Sequence, residues 1–300
     1  MSASRDLKTW AQAHISQLVL APTGVLALVF IYGFIVLTIY LSFSASRILP
    51  DYGFVGFEQW ERLWSSRRWW TAIGNLLIFG SLFIGFAIAI GVALAIFLDQ
   101  RIRAEGLIRT IYLYPMALSF IVTGTAWKWM LNPDLGIEQV FQQWGWASFQ
   151  FNWLVQKQTA IYTVVIAAVW QSSGFVMAIF LAALRGIDTS ITQSAMVDGA
   201  SMFRIYRRII LPQLRPALFT AFILLLHMAI KSFDLVIALT NGGPGNATDL
   251  PATFMYTFAF ERSRLAIAAA SATMMLFTVV AVIVPYLYAE LRAQNRDRRH

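Results

Sequence analysis

Gln193-Ser-Ala-Met-Val-Asp198-Gly199-Ala200-Ser-Met-Phe-Arg-Ile-Tyr-Arg-Arg-Ile209-Ile-Leu211-Pro212 decides how the rest of the chain is read. Just upstream, Asp188 or Thr189 offers an N-cap, so a short helix is expected through Gln193 to about Val197. Gly199 suits a turn with positive φ or a close backbone approach. A second helix from Ser201 would gather Met202, Ile205, Tyr206 and Ile209 at helical spacing, with Arg204, Arg207 and Arg208 elsewhere on the wheel. Pro212 is expected to push Leu211 out of the α region and stop that helix. On physics alone, such an amphipathic pair can lie on anionic lipid.

The flanks say where it lies. Of 300 residues, 58% are hydrophobic and 13% charged, against roughly a quarter charged in soluble domains. Six apolar stretches, near 19–43, 74–98, 108–131, 160–184, 216–239 and 265–288, each reach the ~20 residues that cross hydrocarbon as a helix. None alternates as a barrel strand does, so the chain reads as all-α, a polytopic membrane protein with six transmembrane helices. The first stretch follows Arg5 and Lys8 but is too long for a signal-peptide core of about 7–15 residues, and is read as a retained span.

Basic residues orient the spans. The N-terminus, 99–109, 185–215 and the C-terminus hold 14 Lys/Arg, and the opposite loops, 45–73, 132–159 and 240–264, hold 7. Positive charge collects inside, so both termini and the 185–215 loop are expected to be cytoplasmic. The net charge of +8 is then explained by topology and lipid headgroups, with no nucleic acid needed. Trp60, Trp64, Trp69, Trp70, Trp127, Trp129, Trp144, Trp146 and Trp153 fall at or beyond the outer ends of spans. They suit a lipid-anchoring belt with packed outer loops, or a docking surface for an external partner. The chain has no cysteine, its three histidines are scattered, and no metalloprotease, nucleophile-elbow or phosphate-loop motif is present.

Several residues inside the spans invite a role. Gly74, Gly80, Gly85 and Gly91 would let span 2 approach a neighbour closely, and Pro115 would bend span 3. Lys128, between Trp127 and Trp129, can snorkel to the headgroups, and a short helix is expected in the aromatic loop that follows. Trp170, Gln171, Ser172 and Ser173 interrupt span 4. They could stack and hydrogen-bond a hydroxyl-rich ligand, or the serines could bond their own backbone four residues back while Gln171 bridges to a neighbouring helix. Lys231 and Asp234, three apart in span 5, could form an ion pair fixing the helix or line a polar path. Residues 1–17, with Trp10 and Ile15, could form a short interfacial helix.

The opening stretch resembles the cytoplasmic coupling loop of binding-protein-dependent ABC importer permeases, whose pattern is Glu-Ala-Ala, two residues, Asp-Gly-Ala and a later Ile-x-Leu-Pro. Ala195, Asp198, Gly199, Ala200, Ile209, Leu211 and Pro212 match position by position. Gln193 and Ser194 stand where the pattern has Glu and Ala, and a neutral amide loses the charge-assisted part of a hydrogen bond. Span 4, and Phe233-Asp-Leu leading to Thr240-Asn241-Gly242-Gly243-Pro244-Gly245, are similar to the sugar permeases of the maltose and glycerol-phosphate type. The resemblance implies a type I ABC importer permease fold over 70–290. It places an N-terminal segment with the first span and first outer loop at 1–69, and a basic cytoplasmic tail at 291–300. It further implies a bacterial inner-membrane subunit that pairs with a second homologous permease, an ATP-binding subunit dimer and a periplasmic solute-binding protein. In that setting 193–200 and 211–212 dock on the ATPase, 170–173, 231 and 234 border the sugar path, and 241–245 approach the binding protein. ATP and Mg would be used by the partner, with no cofactor in this chain. A self-contained ion-coupled carrier is the rival reading, and Asp234 is the one acid it could use. A membrane enzyme lacks its catalytic constellation.

Overall fold

The computed structural model describes residues 20–100 and 103–297, so the interfacial helix expected at 1–17 and the last three residues of the basic tail lie outside it. Regular structure among the described residues is helical apart from one isolated antiparallel bridge, Ser44 to Phe54. In chain order the helices are α1 (Leu20–Leu41), α2 (Glu58–Trp64), α3 (Arg67–Asp99), α4 (Glu105–Ala117), α5 (Phe120–Met130), α6 (Ile137–Gln143) and α7 (Ala160–Arg185). There follow α8 (Thr189–Val197), α9 (Met202–Gln213), α10 (Arg215–Ile230), α11 (Asp234–Leu239), α12 (Pro251–Tyr256) and α13 (Leu265–Asp297).

Four of these, Leu20–Leu41, Arg67–Asp99, Ala160–Arg185 and Leu265–Tyr286, are long and apolar enough to cross a membrane. The stretch expected as span 3 is the pair α4 and α5, bent by 101°; α9 and α10 form a second pair, bent by 60°, and the stretch expected as span 5 is α10 followed by α11. Pro115 does not make the first bend. It sits inside α4, and the chain turns three residues later where Leu118 and Ser119 are extended (ψ 145° and 152°). The Ser119 hydroxyl then accepts from the Val122 N–H at 3.3 Å and starts a new helix.

Two compact units are distinguished. The first, residues 20–65 and 255–274 of the described chain, holds α1, the loop after it, α2 and the start of α13. Its loop folds back on itself: Ala45 N–H donates to Gly53 O at 3.1 Å and Val55 N–H to Phe43 O at 2.8 Å. Leu265 and Ala266 N–H donate to Arg47 and Ser46 carbonyls, so two of the donors that every helix start leaves open are satisfied by the loop.

The second unit is built on α7, which is packed along its length against α3 and against α4. The 18-residue core of α7 is 72% buried, the highest of the spans, because its inward face is small: Ala160, Thr163, Ala167, Ala168, Ser172 and Gly174. In lipid, helices associate through such close van der Waals contact. Gly174 is the tightest point, since a Cβ there would stand 1.8 Å from the Tyr112 carbonyl oxygen of α4. Of the four span 2 glycines only Gly91 is in tight contact, against Val176, while Gly74 and Gly85 face open space. Trp69 departs from the expected interfacial belt: it is 1% exposed and packs edge-on to Phe254 at 5.2 Å. Trp129, Trp144 and Trp146 are exposed, as a belt or docking surface requires.

Candidate functional site

The segment after α7 forms as its residues dictate. Asp188 caps α8, its carboxylate accepting the Ser190 N–H at 2.9 Å. That backbone hydrogen bond, with a second from the Ser190 side chain, holds the Asp188 pKa below the ordinary carboxylate value. A folded pKa below the unfolded one means that the cap stabilises above the unfolded pKa and is lost as pH falls through the folded one. At the other end Gly199 N–H donates to Met196 O and Ala200 N–H to Ala195 O, both at 3.0 Å, around Gly199 at φ 78°. This is the double hydrogen bond of a Schellman cap, whose left-handed position favours glycine. The turn aims α8 and α9 as two legs of one foot.

Ala195 and Ala200 pack on the core, as do Ile205, Tyr206, Ile209 and Ile210 of α9. Gln193, Ser194, Asp198 and Gly199 are exposed, and so are Ile191, Met196, Val197, Met202 and Phe203. Met202 therefore leaves the apolar face assigned to it in the sequence. The foot is tied to the spans at its far side: Gln100 Nε2, at the end of α3, donates to Tyr206 Oη at 2.8 Å. Beside it, Arg185 of α7 pairs with Glu105 of α4 at 2.6 Å.

Pro212 does not stop α9. Leu211 stays helical (φ −56°, ψ −39°), and the helix runs on to Gln213 before turning at Leu214. The reason precedes the proline: residues Tyr206–Ile210 form a π-turn, and Leu211 N–H reaches back five residues to Tyr206 O. The wider turn accommodates an imino ring that would clash with the carbonyl four residues back in an α-helix.

The residues proposed in span 4 divide. Gln171 is 3% exposed and its Nε2 donates to Leu118 O at 2.8 Å, at the break between α4 and α5. Ser172 and Ser173 are buried, and Ser173 Oγ reaches the Trp170 carbonyl at 3.5 Å. Gln171 thus bridges to the break between α4 and α5, and Ser173 reaches its own backbone three residues back rather than the four expected; among the described residues Ser172 Oγ is buried with no partner. Trp170 is half-exposed and meets Trp127 edge-on at 5.8 Å.

Among the described residues Lys231 and Asp234 form no ion pair; both are exposed. The three-residue spacing assumed one helix, but α10 ends at Ile230 and Phe233 is non-helical (φ −127°, ψ −61°). Asp234 instead opens α11, where a carboxylate complements the helix dipole. Both residues line a cavity of ≈ 250 Å³ with Phe120, His227, Ser232 and Phe233. Phe120, His227 and Ser232 carry no mark in the sequence that assigns them to this cavity; the helix break beside them has no glycine or proline to announce it.

The loop after α11 is pinned from within. Asn241, Gly242 and Gly245 take positive φ, and the Gly243–Pro244 bond is cis. Thr248 Oγ1 donates to Gly243 O at 2.9 Å. Fully buried Asp249 accepts from Arg68 Nε at 2.6 Å, and Asn75 Nδ2 donates to Asp249 O at 2.9 Å. Asn241 and Gly245 remain exposed, whereas Gly242 is buried. Arg68 and Asn75 lie 181 and 174 residues from Asp249 in sequence, which hides the network.

Residues 85–293 match the family model for the binding-protein-dependent transport system inner membrane component. The chain belongs to this family. The permease is 38% identical over 281 residues to a probable ABC transporter permease protein of Pyrococcus horikoshii, covering 93% of this chain and 96% of that one. It is 37% identical to a xylose/arabinose import permease of Haloferax volcanii, over 81% of this chain and 77% of that one. To a trehalose/maltose transport system permease of Thermococcus litoralis it is 30% identical, over 80% and 81%. The permease superposes with TM-score 0.81 and 22% identity on a bacterial ABC transporter involved in alginate import, over 97% of this chain and 99% of that one. The all-α, multi-pass permease fold is thereby established, and the permease is a transport component rather than an enzyme.

Proposed function

We propose that this chain is the transmembrane permease subunit of an ATP-driven sugar importer, lining the translocation path with a second homologous permease. Its foot, α8 and α9, docks on a dimer of ATP-binding subunits, and both termini are cytoplasmic. ATP and Mg are consumed by that partner, and this chain carries no cofactor. Substrate arrives on a periplasmic solute-binding protein that meets the loop at 241–245. Residues 70–290 carry the transport function.

The observation that carries the reading is the exposed apolar end of the foot. Val197 is 88% exposed and Phe203 75%, beside a rigid glycine cap and clear of the core. A surface of that kind, on a segment hydrogen-bonded to α3, fits a partner that moves the spans. Relatives named for xylose/arabinose, trehalose/maltose and starch degradation products support a sugar as cargo. The cavity at Lys231 and Asp234 suits such cargo, because it offers phenyl faces beside an ammonium, a carboxylate and a hydroxyl.

ATP closes the nucleotide-binding dimer, the foot is carried with it, and the spans open outward to receive sugar; hydrolysis resets them. Reconstitution with the partner subunits and binding protein tests this. Uptake of labelled pentose or α-glucoside is expected only with ATP inside the vesicle, and uptake by this chain alone without ATP would overturn it.

A further inference from the structure

The first compact unit contains a recess of ≈ 360 Å³ that the transport reading leaves unused. Its lining includes Arg47 and Arg62 from the loop after α1 and from α2, and Arg262 and Arg264 from the approach to α13. No carboxylate lines it. Arg62 is compensated by Glu58 on its own helix, and Arg262 lies over the Phe258 ring at 4.9 Å. Arg47 and Arg264 make no side-chain hydrogen bond or ion pair among the described residues. A second feature points the same way. Gln59 is only 6% exposed, lines the recess, and its amide has no hydrogen-bond partner among the described residues. The Gln59 amide therefore reaches the recess with its donors and acceptor uncommitted, where a ligand can meet it.

The depth of the recess names the ligand. The apolar run of α13, residues 265–288, is 24 residues long, and at about 1.5 Å per residue it covers the roughly 30 Å hydrocarbon core. Leu265 therefore stands at the hydrocarbon edge, and Arg262 and Arg264, within one turn of it, stand among headgroups. Ile48, Leu49, Tyr52, Phe54 and Phe57 of the neighbouring loop are all exposed, at 61–77%. Such apolar and aromatic side chains beside guanidinium groups suit the membrane interface. On the charge reading these arginines are on the outer side, where basic residues are scarce, so four of the seven in the outer loops share one recess.

We propose that this recess binds the phosphate headgroup of an anionic phospholipid in the leaflet opposite the termini. Arg47 and Arg264 provide forked contacts to the phosphate oxygens, and the Gln59 amide provides a further donor. The bound lipid bridges the loop after α1 to the start of α13. The inference needs only that Leu265–Tyr286 spans the membrane and does not rest on the sugar or the ATPase assignment.

Native mass spectrometry of the delipidated, purified membrane assembly tests it, with phosphatidylglycerol, phosphatidylethanolamine or inorganic phosphate added. Phosphatidylglycerol is expected to give a bound species at least tenfold more abundant than phosphatidylethanolamine at equal concentration. Arg47→Gln with Arg264→Gln should abolish that preference, and the Arg→Lys pair should restore part of it. Both arginines are exposed, so folding should survive, checked by an unchanged melting temperature. Equal retention of phosphatidylglycerol by the Gln pair would overturn the proposal. So would binding of inorganic phosphate without lipid preference, or loss of solute-binding-protein affinity with lipid retention unchanged.

Discussion

Gly199→Val isolates the cap that aims the foot. A Cβ at position 199 would meet nothing within 4 Å, so no steric clash arises in this chain. The cost is that of the backbone alone: at φ 78° an L-residue is disfavoured by about 1–2 kcal/mol. If the residue escapes to negative φ, the hydrogen bonds from Gly199 and Ala200 N–H to Met196 and Ala195 carbonyls break, each contributing roughly 1 kcal/mol. The ratio of capped to frayed foot should fall by a factor of about 5–30. Asparagine tolerates the left-handed region, so Gly199→Asn should behave nearly as the parent. The assay is the ratio of sugar taken up to ATP hydrolysed in proteoliposomes with the full transporter. Val should lower that ratio severalfold with normal insertion, and Asn should not. Equal ratios for Val, Asn and parent would refute the argument that the cap transmits motion; equal losses for Val and Asn would refute the backbone mechanism.

Lys231→Met and Asp234→Asn should each depress uptake, and because both groups are exposed and form no ion pair, each should change stability by no more than about 0.5 kcal/mol. A sharp fall in the detergent melt for either would restore the ion pair. Asp249→Ala removes a buried acceptor from Arg68 and from Thr253, and breaking a buried pair typically costs about 3–5 kcal/mol, so detergent melting should fall sharply. An unchanged melt would contradict the pinned loop. Gln171→Leu leaves the Leu118 carbonyl without its side-chain donor, a loss of about 1–3 kcal/mol, and should lower the melt modestly without changing topology.

How much of this was legible follows the range of each interaction. The foot was readable because caps and glycine turns are local: Asp188 and Gly199 do what their neighbours in sequence require. Spans were readable from apolar length, yet the breaks between α4 and α5 and between α10 and α11 were not, because their causes are local conformations without a strong sequence mark. Ser119 is an ordinary serine until its hydroxyl caps α5, and Ser232-Phe233 carries no breaker. Pro115 and Pro212 invited breaks that lie elsewhere, the first because Leu118 and Ser119 turn the chain, the second because a π-turn absorbs the ring. Gln171 was read in two ways from its position in an apolar helix, and only the Leu118 carbonyl opposite it decides. The Arg68–Asn75–Asp249 network joins span ends far apart in sequence, and no periodicity reports such a contact.

Coupled transport requires that the foot be the seat of an ATP-hydrolysing partner. The chain has no cysteine, so a single Val197→Cys variant carries one thiol, at a position 88% exposed at the tip of α8. In membranes holding the assembled transporter, a short thiol-to-amine cross-linker at that site should capture the ATP-binding subunit, with a yield that changes when ATP is bound. Adducts with lipid or with this chain alone, and none with a nucleotide-binding protein under any nucleotide condition, would contradict it.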